Sequence, residues 1–105
     1  MKKNGTQKSG NGNGHATQSI RIEFTHPTAA AVAIAGSFND WHPNVTQMIR
    51  VSDGRWLKEL TLPPGRYEYR LVVDGAWITD PAARETAPNP FGELNSVLKV
   101  RQFST

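Results

Sequence analysis

The 105-residue chain contains no cysteine. That excludes a disulfide framework, a thiolate zinc site and a cysteine nucleophile. It is in keeping with a reducing compartment, so the expected location is cytoplasmic. No apolar run approaches the ~18 residues that a membrane-crossing helix needs, and no membrane partner is expected. Met1-Lys2-Lys3 has the charge of a secretory n-region, but Asn4, Gly5, Thr6, Gln7 and Lys8 follow where an apolar stretch should stand, so no signal peptide is read. The catalytic signatures His-Glu-x-x-His and Gly-x-Ser-x-Gly are absent, as is a phosphate loop. The three histidines, His15, His26 and His42, have no ligand spacing. No metal and no cofactor are expected.

An excess of positive charge is also missing where it would matter. The formal net charge is +3, but Lys2, Lys3 and Lys8 stand in the first 18 residues, which hold no acid. The remaining nine Lys and Arg face nine Asp and Glu. A duplex-binding domain needs a basic face of its own, and three tail lysines add only weak, salt-sensitive attraction. No nucleic-acid partner is expected. Residues 1–18 (MKKNGTQKSGNGNGHATQ) lack the apolar surface to offset ordering and read as a disordered polar tail; residues 19–105 read as one folded module. A domain of this size buries roughly 60–65% of its unfolded surface, enough to fold without staples.

The module reads as strands. From Ser19, Ile20, Ile22 and Phe24 alternate with Arg21, Glu23 and Thr25. Ala31 to Gly36 is a short apolar run, read as a strand buried on both faces. Residues 37–46 are rich in turn formers. A short strand is expected at Met48–Val51, then a hairpin turn at Asp53-Gly54 and a strand over Arg55–Leu62, whose Trp56 reads as core. Pro63-Pro64-Gly65 turns the chain. Arg66–Val73 alternates most clearly, with Tyr67, Tyr69, Leu71 and Val73 on one face and Glu68, Arg70 and Val72 on the other. Asp74-Gly75 is a second hairpin turn, leading to a strand at Ala76–Ile78. Residues 79–94 lack periodicity and read as a long surface loop. Asn95–Arg101 closes the sheet with Leu98 and Val100 inward. The expected fold is all-β: an immunoglobulin-like antiparallel β-sandwich of seven or eight short strands.

Catalysis is not expected. Asp40, Asp53, Asp74, Asp80, Glu85 and Glu93 all fall in segments read as turns or loops, and a small sandwich lacks the deep cleft that tunes an acid–base pair. Trp41 and Trp77 carry more information. Each sits among turn residues, and spacing leaves two roles open: capping the ends of the sandwich, or facing solvent. An exposed indole offers a flat apolar face to the polarised C–H groups of a pyranose ring, while neighbouring Arg and Asn side chains bond its hydroxyls. Arg70, Asn95 and Phe91 are placed to contribute. Nucleobases also stack on aromatics, but the neutral charge of the module favours an uncharged ligand.

These residues form ordered blocks. Gly36-Ser37-Phe38-Asn39-Asp40-Trp41 is followed by Leu62-Pro63-Pro64-Gly65, Tyr67-Glu68-Tyr69-Arg70, Val73-Asp74-Gly75-Ala76-Trp77, Asp80-Pro81 and Asn95. The series resembles the glycogen-binding module of the AMP-activated protein kinase beta subunit, and the early-set domain at the N-terminus of isoamylases and branching enzymes. The likeness spans about residues 19–101. It implies binding of α-1,4-linked glucan, as glycogen or maltooligosaccharide, with a partner enzyme of glycogen metabolism. Carried over by position, Trp41 and Trp77 match the stacking tryptophans and Asn95 the asparagine that bonds sugar hydroxyls. Arg70 replaces a lysine, Phe91 replaces a leucine that enters the curl of the glucan, and Glu93 replaces a threonine. The loop before Glu93 is one residue longer than in the kinase module. The chain stops at Thr105, ahead of any catalytic barrel or kinase-subunit-binding region. It therefore reads as a free-standing module or a fragment of something longer. The alternatives are an adaptor sandwich without sugar binding and a tail-assisted nucleic-acid binder.

Overall fold

The structure, a computed structural model, describes residues 16–102. Most of the expected polar tail, residues 1–15, lies outside the described residues. Gln18, assigned to that tail from its composition, already opens the first strand.

Among the described residues, eight strands form two antiparallel sheets. They are β1 (Gln18–Thr25), β2 (Val32–Gly36), β3 (Ile49–Ser52), β4 (Arg55–Leu62), β5 (Gly65–Val73), β6 (Ala76–Ile78), β7 (Glu85–Pro88) and β8 (Leu94–Val100). The smaller sheet has the order β1-β4-β3; the larger runs β2-β5-β8-β7. β6 also pairs with β5, along Leu71–Val73, on the edge whose first half (Gly65–Tyr69) is taken by β8. The Asp74-Gly75 turn sets that pairing. Both residues have positive φ, 50° and 86°, as a two-residue hairpin requires. The Asp74 carboxylate also accepts N–H bonds from Ala30 and Ala31, tying the turn to the start of β2.

The two sheets bury their alternating apolar faces against each other. Ile22, Phe24, Trp56, Leu60 and Leu62 come from the smaller sheet; Val32, Ile34, Tyr69, Leu71, Val73 and Val100 come from the larger. Period two then sends Glu68, Arg70 and Asn95 to the outer face of the larger sheet. Across the ladder Arg70 stands opposite Ala35, and Asn95 opposite Ala87. Small cross-strand partners leave room around both polar side chains.

Residues 79–94 are not a continuous loop. Glu85–Pro88 forms edge strand β7, paired with β8, so Glu85 lies in a strand with its carboxylate 3.1 Å from Lys99 Nζ. An edge strand buries little and tolerates proline at its end, so it carries no hydrophobic alternation to read.

Candidate functional site

Three segments converge above the outer face of the larger sheet. The first is the connection after β2, with 3₁₀ turns at Ser37–Asn39 and Pro43–Val45. Asn39 clasps it: Oδ1 accepts the Gly36 N–H, and Nδ2 donates to the Ile34 carbonyl and to Thr46 Oγ1. Asp40 and Trp41 then both adopt left-handed backbone, φ 54° and 61°. Only Gly, and to a lesser extent Asn and Asp, enters that region readily, so Trp41 is an outlier held by its surroundings. Its N–H donates to the Gly36 carbonyl at 2.9 Å.

The second segment is β6, which carries Trp77. The chain beyond it is fastened down. Thr79 Oγ1 donates to the Leu94 carbonyl, the Asp80 N–H to Ser96 Oγ, and the Tyr69 hydroxyl to Asp80 Oδ2 at 2.6 Å. Burial raises the Tyr69 pKa, and the adjacent Asp80 carboxylate, which accepts its proton, raises it further.

The third segment is the loop from Asn89 to Glu93, between β7 and β8, with Phe91 at its tip. Gly92 turns the chain at φ 83°, a conformation in which a side chain would be strained.

All six residues expected from the sequence line one cleft of about 520 Å³: Trp41, Arg70, Trp77, Phe91, Glu93 and Asn95, together with Asn89 and Pro90. Trp41 is 36% exposed, Trp77 42% and Phe91 88%. Neither outer indole is swallowed by the core, unlike Trp56. Trp77 stands on β6, the strand expected at Ala76–Ile78, with its two-residue turn just before it.

Arg70 departs from expectation. Its parity turns it away from the core, yet it is only 8% exposed. Its Nη2 donates to the Trp77 carbonyl at 3.3 Å, Nη1 pairs with Glu93 Oε1 at 2.5 Å, and Nε has no partner among the described residues. Among the described residues, Arg70 and Glu93 are the only formally charged ones of the lining, so the cleft they form is neutral. Asn95, 7% exposed, is likewise engaged: Nδ2 donates to Glu68 Oε1, and Oδ1 accepts from Asn89 Nδ2.

Glu68, beside the cleft, accepts from Asn95 and from Arg66 Nη1 at 2.7 Å. Both bonds favour its charged form and hold its pKa below the ordinary carboxylate value, the Asn95 bond contributing most. A depressed carboxylate stabilises the fold above its unfolded pKa, and that contribution disappears as pH falls through the folded value. Glu68→Gln is therefore expected to melt below the parent at neutral pH. The gap should begin to narrow below the ordinary carboxylate range and close as pH falls through the lowered folded value. A constant gap across an acid melting series would refute the assignment.

Asn39, Glu68 and Asn89 organise the site and were not singled out from the sequence. Asn within turn-rich segments is a usable signal, because its amide competes for local backbone groups.

Fold and family together define a class: a β-sandwich carbohydrate-binding module. The family described as "Glycogen recognition site of AMP-activated protein kinase" matches residues 18–105, and the chain belongs to it. This is the family that the ordered sequence blocks resemble. The rice protein FLOURY ENDOSPERM 6, chloroplastic (Oryza sativa subsp. japonica), is 35% identical over 83 residues, which is 79% of this chain and 15% of that one. Human 5'-AMP-activated protein kinase subunit beta-2 is 31% identical over 71 residues, covering 68% of this chain and 25% of the subunit. Phosphoglucan phosphatase DSP4, amyloplastic, from Castanea sativa is 25% identical over 81 residues, or 77% and 22% of the two chains. The chain thus spans a quarter or less of the length of these relatives. A solved maltogenic amylase from S. marinus shares the fold, with a TM-score of 0.68 at 18% identity over 80% of this chain and 14% of the amylase. Among the described residues no helix is long and apolar enough to cross a membrane.

Proposed function

We propose that the module binds glycogen or a starch-like α-1,4-glucan without converting it. Trp41 and Trp77 stack on successive sugar rings, and Phe91 projects into the curl of the chain. Arg70 and Asn95 orient the sugar, with Glu93 at the lip of the cleft. The observation carrying this reading is the convergence of two half-exposed indoles and one nearly free phenyl ring on a single electrically neutral cleft. Stacking hides apolar surface on both partners while the sugar hydroxyls stay at the wet rim. The family and the phosphoglucan phosphatase among its relatives point to the same polymer class. The guanidinium is already neutralised by Glu93, which suits an uncharged ligand. The cleft is shallow and most hydroxyls exchange water for protein, so a short oligosaccharide binds weakly and a branched polymer gains by avidity.

The test is migration in native gels cast with glycogen. The parent should be retarded, and maltoheptaose should release it while cellopentaose and glucose do not. Equal release by cellopentaose would refute the α-glucan assignment; unretarded migration would refute polymer binding altogether. A second reading, protein contact through the same fold, has its own observation in Ile49 and Val51, which stand exposed on edge strand β3. Absence of retardation would favour it. A glycogen-metabolising partner enzyme and a cytoplasmic location complete the proposal. The plastid labels on the rice and chestnut relatives make imaging of the tagged protein the check on location.

A further inference from the structure

The Phe91 ring is 88% exposed, so no packing fixes where it points. Only its loop does, and apart from the Glu93–Arg70 ion pair that loop is tied to one residue. Asn89 Oδ1 accepts the N–H groups of Phe91 at 2.9 Å and Glu93 at 3.1 Å. The Asn89 N–H donates to the Glu93 carbonyl, and its own carbonyl accepts from Gly92. On its other side Nδ2 donates to Asn95 Oδ1 at 3.1 Å.

This chain of amides has one possible sense. An ionised carboxylate only accepts, so Glu68 requires the NH₂ of Asn95 to face it. Asn95 then turns its oxygen toward Asn89, which must answer with its own NH₂. That leaves the Asn89 oxygen facing the loop, where two backbone N–H groups need an acceptor. Arg66 holds the far side of Glu68 and fixes the starting point.

We propose that Asn89 is a positioning residue for the Phe91 contact, and that Glu68, acting through Asn95, sets the polarity of the amide relay that orients it. This rests on the glucan reading above. Pre-ordering the loop lowers the entropy lost when the ring engages a ligand, which converts directly into affinity.

Maltoheptaose affinity, measured by calorimetry at 10 °C, tests the relay, with each variant's fold checked by thermal melting. Asn89→Ala is expected to weaken binding by about three- to tenfold, the cost of ordering a loop that is no longer held. In a Phe91→Ala background the same change should cost clearly less than it does in the parent, since its main effect runs through that ring, with only the smaller share carried by Asn95 and Glu93 remaining. Asn89→Asp keeps the acceptor for the loop but sets oxygen against Asn95 Oδ1, so it too should weaken binding. Adding Glu68→Gln lets both amides reverse, and the double variant should return to within about twofold of the parent. Three results would overturn the relay: parent affinity in Asn89→Ala, a full additive loss on top of Phe91→Ala, or no recovery in Asn89→Asp with Glu68→Gln. Trp77→Ala, run alongside, separates the two levels. Loss there with none at Asn89→Ala sinks the relay and leaves the indole platform standing. Retention there removes the platform and the relay together.

Discussion

Replacing Trp77 or Trp41 by alanine is expected to abolish retardation by glycogen and to lower maltoheptaose affinity by at least roughly 30-fold, the scale of a hot-spot truncation of about 2 kcal/mol. Each indole supplies a rigid apolar face that no neighbour can replace. Arg70, next in the cleft, is already committed to Glu93 and to the Trp77 carbonyl. Both indoles are more than a third exposed, so the loss should come without unfolding. The melting temperature of either variant should stay within about 5 °C of the parent, as for changes outside the core. If both variants migrate like the parent in glycogen gels, stacking is not what holds the ligand. If both unfold, the indoles are packing elements and the exposed-platform reading fails.

Leu71→Ala should do the opposite. Leu71 is fully buried in the middle of β5, paired across the ladder with Ile34 of β2 and Ile78 of β6. Truncation there removes the link between three strands and opens a cavity, at a cost of about 3–4 kcal/mol. For a domain of this size that is a fall in melting temperature of roughly 12–32 °C. The folded fraction at low temperature should still bind glucan, because the neighbouring Arg70 reaches the cleft from the opposite face of the strand. A melting temperature lowered by less than about 5 °C would show that the core does not close around this residue.

Much of this architecture could be read from spacing. The alternation of Tyr67, Tyr69, Leu71 and Val73 and the two Asp-Gly turns predict β3 through β6 nearly residue for residue. A strand with one dry face and a two-residue turn are local facts, so local sequence reports them. Edge strand β7 was not legible, because its partner is β8 and its residues have no buried face of their own. The burial of Arg70 was hidden for a related reason: parity says which way a side chain leaves the sheet, not what later folds over it. Trp41, Arg70, Trp77 and Asn95 stand in the ordered blocks, and Phe91 and Glu93 follow from their position in the resemblance, yet the meeting of all six in one cleft depends on contacts far apart in the chain. Asn39 and Asn89 were passed over because an asparagine that clasps a loop has the same local appearance as one that faces water.

The left-handed backbone at Trp41 has a consequence for anyone who tries to improve this molecule. Glycine would relieve about 1–2 kcal/mol at that position. If Trp41 stacks on the ligand as proposed, heat resistance and ligand capture pull position 41 in opposite directions. A library sorted on melting temperature alone would drift to glycine or asparagine there, and, if the stacking proposal holds, its winners would be sturdier proteins that no longer take up glucan.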